Sequence, residues 1–103
     1  MNKVILIGKV YSTEAKAIGV DNFLLKVTLN TSERYKDKDG NNQWNNQYHR
    51  LICWGNRYSK LEQYLEKDTR IAVEGKINYK EYEKDGQKNY STEIIVDNIT
   101  LLK

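Results

Sequence analysis

Residues 48–65 read Tyr-His-Arg-Leu-Ile-Cys-Trp-Gly-Asn-Arg-Tyr-Ser-Lys-Leu-Glu-Gln-Tyr-Leu. The first seven, Tyr48 to Trp54, are rich in rings and branched side chains, the composition of a strand. After Gly55 the period changes. Ser59-Lys60-Leu61-Glu62 matches a capping box, and Tyr58, Leu61 and Leu65 follow at helical spacing. The spacing predicts one short helix of roughly two to three turns, ending near Lys67.

Toward the N-terminus the period is two. Val4, Leu6, Gly8 and Val10 alternate with Lys3, Ile5, Ile7 and Lys9; both rows are partly apolar, so this first strand is expected to be covered on both sides. Phe23, Leu25, Val27 and Leu29 alternate with Leu24, Lys26, Thr28 and Asn30 as a half-buried second strand. Tyr11 to Asn22, with its Ser, Thr, Gly and Asp, reads as a connection. Lys36 to Gln47 is almost wholly polar, carries the Asp39-Gly40 turn signature and holds Trp44 near its end, and reads as an exposed hairpin connection. Toward the C-terminus, Thr69 to Tyr82 alternates, with Ile71, Val73 and Ile77 on one row. Lys84-Asp85-Gly86-Gln87 makes a hairpin turn, Tyr90 to Val96 returns as a fifth strand, and Ile99, Leu101 and Leu102 close the chain apolar.

The order is three strands, one short helix, then two strands. A mainly antiparallel five-stranded sheet in so small a chain leaves two long edges open unless it closes. A barrel with the helix between strands three and four plugging one end solves this, which is the all-β OB-fold arrangement. The pattern by itself also fits another small barrel or an α+β sandwich. The length of 103 residues is room for one domain, expected to span residues 1–103.

Composition removes several function classes. One Cys forbids a disulfide within the chain, and one Cys with one His cannot build a four-ligand zinc site. The glycines form no phosphate-cradling run. His49 and Cys53 are the one candidate base and nucleophile, but four residues apart on a strand they stand about 13 Å apart, too far for a dyad. No catalytic residue, metal or cofactor is therefore expected, and the chain does not read as an enzyme. No apolar run approaches a membrane span and no signal pattern opens the chain, so it is expected to be soluble and cytoplasmic.

The rings say more. Eight Tyr and two Trp stand against a single Phe, an excess of polar-tipped rings suited to faces that meet something wet and flat. In the third strand Tyr48, Arg50, Ile52 and Trp54 share one face, and His49, Leu51 and Cys53 the other. The second row suits a barrel interior; the first, two large rings flanking a guanidinium, suits a platform. In Thr69–Tyr82, Lys76, Lys80 and Tyr82 lie opposite the apolar row, while Tyr79 has inward parity. Rings interleaved with Lys and Arg on one sheet face are what single-stranded nucleic acid asks for, because any unpaired base offers a π-face to stack on. The net charge of +3 is too small to argue from.

Met1–Gly8, Thr31–Tyr35, Tyr48–Gly55, Tyr64–Lys67, Val73–Gly75 and Tyr90–Ile99, in that order, resemble the bacterial single-stranded DNA-binding protein family, and the match covers essentially the entire chain. The resemblance implies an OB-fold that assembles, usually as a homotetramer with a dimer as the other option. It also implies coating of single-stranded DNA, with tolerance of sequence, in replication, recombination and repair. It places DNA-stacking rings at Tyr35, Tyr48, Trp54 and Tyr82, and phosphate contacts at Lys3, Lys36, Arg50 and Lys80. Arg57 is displaced by one position from the family's usual Lys. Several members carry Trp at the first, second and fourth ring positions, so the platforms here are smaller; Asn78 and Glu81 stand where the family is often basic. His49 matches a histidine at a subunit contact. Family members continue into a flexible linker and an acidic tip that recruits repair enzymes. This sequence stops at Thr100-Leu101-Leu102-Lys103, so the expectation is either a trimmed DNA-binding core or a naturally short member, such as those of phages, mobile elements or primosome assembly, with tail-mediated recruitment in doubt. The alternative implied is a primosome-type OB-fold adaptor acting mainly through protein–protein contacts.

Overall fold

In the computed structural model, which describes residues 1–102, the alternating segments close on one another. The strands β1 (Val4–Ile18), β2 (Asn22–Lys36), β3 (Asn42–Trp54), β4 (Arg70–Lys84) and β5 (Gln87–Leu101) form a closed barrel in the order β1-β2-β3-β5-β4. The helix α1 (Arg57–Leu61) and a 3-10 turn, Glu62–Tyr64, lie between β3 and β4. This is the OB-fold expected from the sequence. Closure depends on strands that change partner along their length. The first half of β1 pairs with β4 and the second half with β2, and the handover is at Lys9, which sits opposite both Arg70 and Asn30. β3 runs antiparallel to β2 throughout but meets β5 in parallel only at Leu51↔Ile94 and Ile52↔Ile95.

The inward rows fill the barrel. Leu25, Leu29, Leu51, Cys53 and Ile71 are fully buried, with Val10, Val27, Val73, Ile94 and Val96 beside them. Tyr58 and Leu65, on and just after the helical segment, cover one end of this cluster. Each large aliphatic side chain so buried contributes about 1.5–3 kcal/mol, which is what the alternating pattern encodes. Two glycines are required by close backbone approach. A Cβ at Gly8 would run into the carbonyl of Asn30, and one at Gly75 into that of Ile95, beside the ladder irregularity between Glu74 and Gly75. The Asp85-Gly86 turn has positive φ at both residues (54° and 77°), as a two-residue hairpin between right-twisted strands demands.

Four expectations are corrected. Tyr11 to Asn22 is not a connection: β1 continues to Ile18, paired with β2 as far as Ile18↔Asn22, with Tyr11 at a ladder irregularity between Val10 and Ser12. The polar stretch Lys36 to Gln47 is mostly strand. Its ladder with β2 runs to Lys36↔Asn42, and the turn is confined to residues 37–41. There the Asp37 carboxylate accepts from the backbone N–H of Asp39 (3.0 Å) and Asn41 (2.9 Å), and the latter bond above all holds its pKa below the usual value. The helix is shorter than predicted, and Ser59 does not cap it. Asn56 stands at the N-cap without a side-chain cap bond, and the Ser59 hydroxyl instead donates to the Asn56 carbonyl at 2.7 Å. Finally, β1 is covered on one side only, since Ile5 and Ile7 are 66% and 56% exposed.

Candidate nucleic-acid interface

Antiparallel register places β2 and β3 residues in directly opposed pairs. Leu24↔Trp54, Lys26↔Ile52, Thr28↔Arg50 and Asn30↔Tyr48 form one face, while Leu25↔Cys53, Val27↔Leu51 and Leu29↔His49 form the other. The second set lies in the core or at its margin, so the first faces outward, with Ile52 alone among its β3 residues buried (6% exposed). Tyr48 and Trp54 are each about half exposed on it. Tyr48 is braced by Tyr11, whose ring meets it edge-on at 5.1 Å with 70° between planes, and the Lys67 ammonium sits 5.4 Å from the Tyr11 ring.

The β4–β5 hairpin supplies a second wall. Lys80↔Ser91 and Tyr82↔Asn89 share one of its faces, and the Arg50 Nη1 donates to the Ser91 Oγ at 3.2 Å. Between this hairpin and residues Ser12 to Glu14 of the β1–β2 hairpin lies a groove of about 640 Å³. Lys26, Thr28 and Arg50 line it along with Lys80, Tyr82, Ser91 and Glu93. The structure therefore brings Arg50, Lys80 and Tyr82 together, with Tyr48 on the β3 row beside Arg50 and Trp54 further along the same row. Sequence reading missed Lys26 and the two acidic residues, Glu14 and Glu93. Lys26 could have been found, because it shares the outward parity of Thr28; the acids could not, because they arrive from distant strands.

The other candidates lie elsewhere. Lys3 is ion-paired with Glu74, whose hydrogen bond and charge raise the ammonium pKa. Tyr35 pairs with Gln43 and lines a hollow with Glu33 and Asn45, on the face of the β2–β3 ribbon opposite to the Tyr48 row. Lys36 stands at the ribbon's far end, opposite Asn42. Arg57 is engaged structurally: its Nη2 donates to the Tyr58 hydroxyl (2.7 Å) and the Asp97 carbonyl (2.9 Å), and its guanidinium lies 4.7 Å from the Tyr58 ring centre. It ties the helix to β5. His49 lies at the core margin with its Nε2 2.8 Å from the Thr31 hydroxyl, and burial lowers its pKa. Burial pushes the Cys53 thiol up to about 12, with Arg57 opposing, so it holds no thiolate at neutral pH. Among the described residues, no group of three or more His, Cys, Asp or Glu is placed to hold a metal, and no helix is long and apolar enough to cross a membrane.

With this geometry in view, comparison with known proteins is direct. Residues 1–102 match the model of the single-strand binding protein family. The Single-stranded DNA-binding protein 1 of Chlorobaculum tepidum is 33% identical over 105 residues, covering 99% of this chain and 65% of that protein. The Single-stranded DNA-binding protein of Xanthomonas axonopodis pv. citri is 34% identical, covering 99% and 58%. The chain thus spans about three-fifths of the length of these curated relatives. Among solved structures, the Plasmodium falciparum SSB in complex with ssDNA superposes with a TM-score of 0.87 at 24% identity, covering 100% of this chain and 96% of that one, which shows a shared fold. A deletion mutant of the single-stranded DNA binding protein from Thermus aquaticus gives 0.83 at 27% identity, covering 100% and 51%.

Proposed function

The chain belongs to the single-strand binding protein family, and on that premise we propose that it binds single-stranded DNA, with little regard to sequence, along the outer face of β2 and β3. The observation that carries this reading is the groove in which Lys26, Arg50, Lys80 and Tyr82 converge, continued by Tyr48 and Trp54 on the same sheet face. Bases stack on the rings, each such contact contributing about 1–3 kcal/mol, and the cations follow the phosphates. Release of the strand's counterions makes the affinity fall as salt rises. Members of this family are non-enzymatic binding proteins.

In this reading residues 1–103 act as one DNA-binding domain in the cytoplasm, serving replication, recombination and repair. The protein works as a homo-oligomer, with a tetramer favoured and a dimer the alternative. The exposed Ile5 and Ile7, side by side on the outer row of β1, support self-association, and His49 contributes to a subunit contact. Lys3, Lys36 and Tyr35 contact DNA only if the strand travels beyond the groove, and Arg57 only by giving up its bonds to Tyr58 and Asp97.

A second reading, an adaptor acting through protein–protein contacts, is favoured by Tyr79 and Tyr90. They lie on the back of the β4–β5 hairpin, 67% and 68% exposed and away from the groove. The test is fluorescence anisotropy of labelled oligo-dT with the wild-type chain and Trp54→Ala. The substitution weakens binding to every sequence by about 1–3 kcal/mol. Unchanged binding removes Trp54 from the interface, and no binding by the wild-type chain leaves the adaptor reading in first place.

A further inference from the structure

Tyr11 is the one residue of β1 that the ladders leave without a partner. Val10↔Leu29 and Ser12↔Thr28 are consecutive pairs of the β1–β2 register, so the strand carries one extra residue between them. An unbroken ladder would put Tyr11 opposite Thr28 and turn Ser12 inward, opposite Val27. The bulge keeps Ser12 outward and lets Tyr11 be aimed separately. Its ring, about half exposed, reaches over β2 to Tyr48 on β3, with 5.1 Å between ring centres and 70° between planes.

The same point of β1 is pinned from another element. The Val10 N–H donates to the Thr69 carbonyl (2.9 Å), and the Asp68 N–H donates to the Val10 carbonyl (2.7 Å). Both partners belong to the connection between the helical segment and β4. There the Thr69 N–H donates to the Glu66 carbonyl at 3.1 Å, closing a tight turn in which Asp68 has a φ of 72°. Lys67, inside that turn, carries its ammonium to 5.4 Å from the Tyr11 ring centre, within reach of cation–π attraction. Among the described residues Lys67 is in no ion pair. Tyr11 is thus held by its neighbour's backbone, by a cation and by a second ring, yet it takes no part in the buried cluster. It also stands apart from Ile5 and Ile7, which lie in the half of β1 paired with β4. Tyr11 lies past the handover at Lys9, next to the groove wall Ser12 to Glu14.

What these restraints order is Tyr48. An exposed ring loses rotamer freedom when a base stacks on it, and a ring already held loses less. A near-perpendicular neighbour covers at most one face of Tyr48 and leaves the other open to a base. We propose that Tyr11 is a positioning residue of the DNA-binding site, holding the Tyr48 ring in the orientation that stacks a base. The inference rests on the reading of Tyr48 as a platform beside the groove, and adds that a residue of β1 organises that platform in advance.

The test is a double-mutant cycle on oligo-dT affinity, read by anisotropy with the full chain, Tyr11→Ala, Tyr48→Ala and the double variant, together with Tyr11→Phe. Both rings stand outside the buried cluster, so the variants are expected to fold, which circular dichroism checks. Tyr11→Ala weakens binding roughly 2- to 10-fold when Tyr48 is present and has no effect once Tyr48 is alanine. Tyr11→Phe, which keeps the ring, binds like wild type. In nuclear magnetic resonance of the free chain with isotope-labelled tyrosine rings, the Tyr48 signals move in Tyr11→Ala and hold in Tyr11→Phe. An equal loss with and without Tyr48 overturns the proposal, because Tyr11 then acts on DNA by itself. Unchanged affinity in Tyr11→Ala, beside a weakened Tyr48→Ala, overturns it too. If the wild-type chain binds and Tyr48→Ala binds equally well, this inference falls while the groove stands. If the wild-type chain binds no oligo-dT, both readings fall. If Tyr11→Ala changes the mass of the assembly by light scattering and not the affinity per subunit, Tyr11 is a contact between copies and the proposal is overturned.

Discussion

Glu14 on β1 and Glu93 on β5 line the groove among Lys26, Arg50 and Lys80. Replacing both acids with glutamine keeps their shape and moves the formal charge of the groove from +1 to +3. Like charges 4 Å apart repel by about 1 kcal/mol in water, and at twice that distance by about half as much. A phosphate held by Lys26, Arg50 and Lys80 at about 4–8 Å from each acid would lose about 0.5–1 kcal/mol of binding to each. The double variant Glu14→Gln/Glu93→Gln should therefore bind oligo-dT roughly 5- to 30-fold more tightly at low salt. The gain should nearly vanish at about 1 M salt, where the screening length is about 3 Å. Anisotropy titrations across salt, with thermal melts to exclude a change in stability, measure both quantities. A gain is the informative direction, since damage to almost any surface can weaken binding, whereas removing an acid strengthens it only where the phosphate passes. Equal or weaker affinity at low salt, with an unchanged melt, would refute the path through this groove.

Three further outcomes follow from the fold. Gly8→Ala forces a Cβ against the Asn30 carbonyl and should destabilise the barrel by about 1–3 kcal/mol; a urea midpoint equal to wild type would show that the β1–β2 crossing has slack. Burial lowers the His49 pKa below 6.5, so the unfolded chain takes up the proton first. Its contribution is complete above about pH 6.5 and is lost as pH falls through the lower folded-state value. The urea midpoint should accordingly drop between about pH 7.5 and pH 5, and less so in His49→Gln; equal drops in the two proteins contradict the assignment. Cys53, buried and with its pKa near 12, should resist iodoacetamide at about pH 8 until denaturant is added, and rapid labelling of the folded chain would mean that the barrel opens readily.

What the sequence made legible was everything that touches the core. Leu25, Val27 and Leu29 in one strand, Leu51 and Cys53 in another, and Ile71 and Val73 in a third alternate because one face is dry and the other wet. The inward rows follow from that contrast; closure and the order β1-β2-β3-β5-β4 do not, since the same alternation also fits another small barrel or an α+β sandwich. The outward row of β3 was legible by the same rule, and so was the outward parity of Arg50, Lys80 and Tyr82, which the fold gathers along one groove. Arg57 was not, because its partners, Tyr58 and the Asp97 carbonyl, are a helix neighbour and a residue of the last strand that only the fold brings near. The ion pair of Lys3 was illegible for a similar reason, since Glu74 reaches it across the β1–β4 ladder.

The segments misread as connections share one physical cause with the sites they carry. From Tyr11 to Ala17, and from Glu33 to Lys36 with Asn42 to Tyr48, every residue is exposed. Ribbons that stand clear of the core are wet on both faces, so hydrophobic alternation has nothing to record there. They are held instead by continuous ladders, by ring contacts such as Tyr11 on Tyr48, and by the Asp37 carboxylate that closes the β2–β3 turn. The same freedom from packing lets them hold side chains out at chosen positions: Tyr11 as a brace, Glu14 on the groove wall, Trp44 on the outer row of β3. On such a ribbon the two faces are equivalent to a composition count but not to a ligand. Tyr35 and Trp44 are near neighbours in the ladder, yet only Trp44 shares a face with Tyr48 and Arg50. Register, which becomes visible only when both strands are placed, decides which of the two rings shares the face of Tyr48 and Arg50.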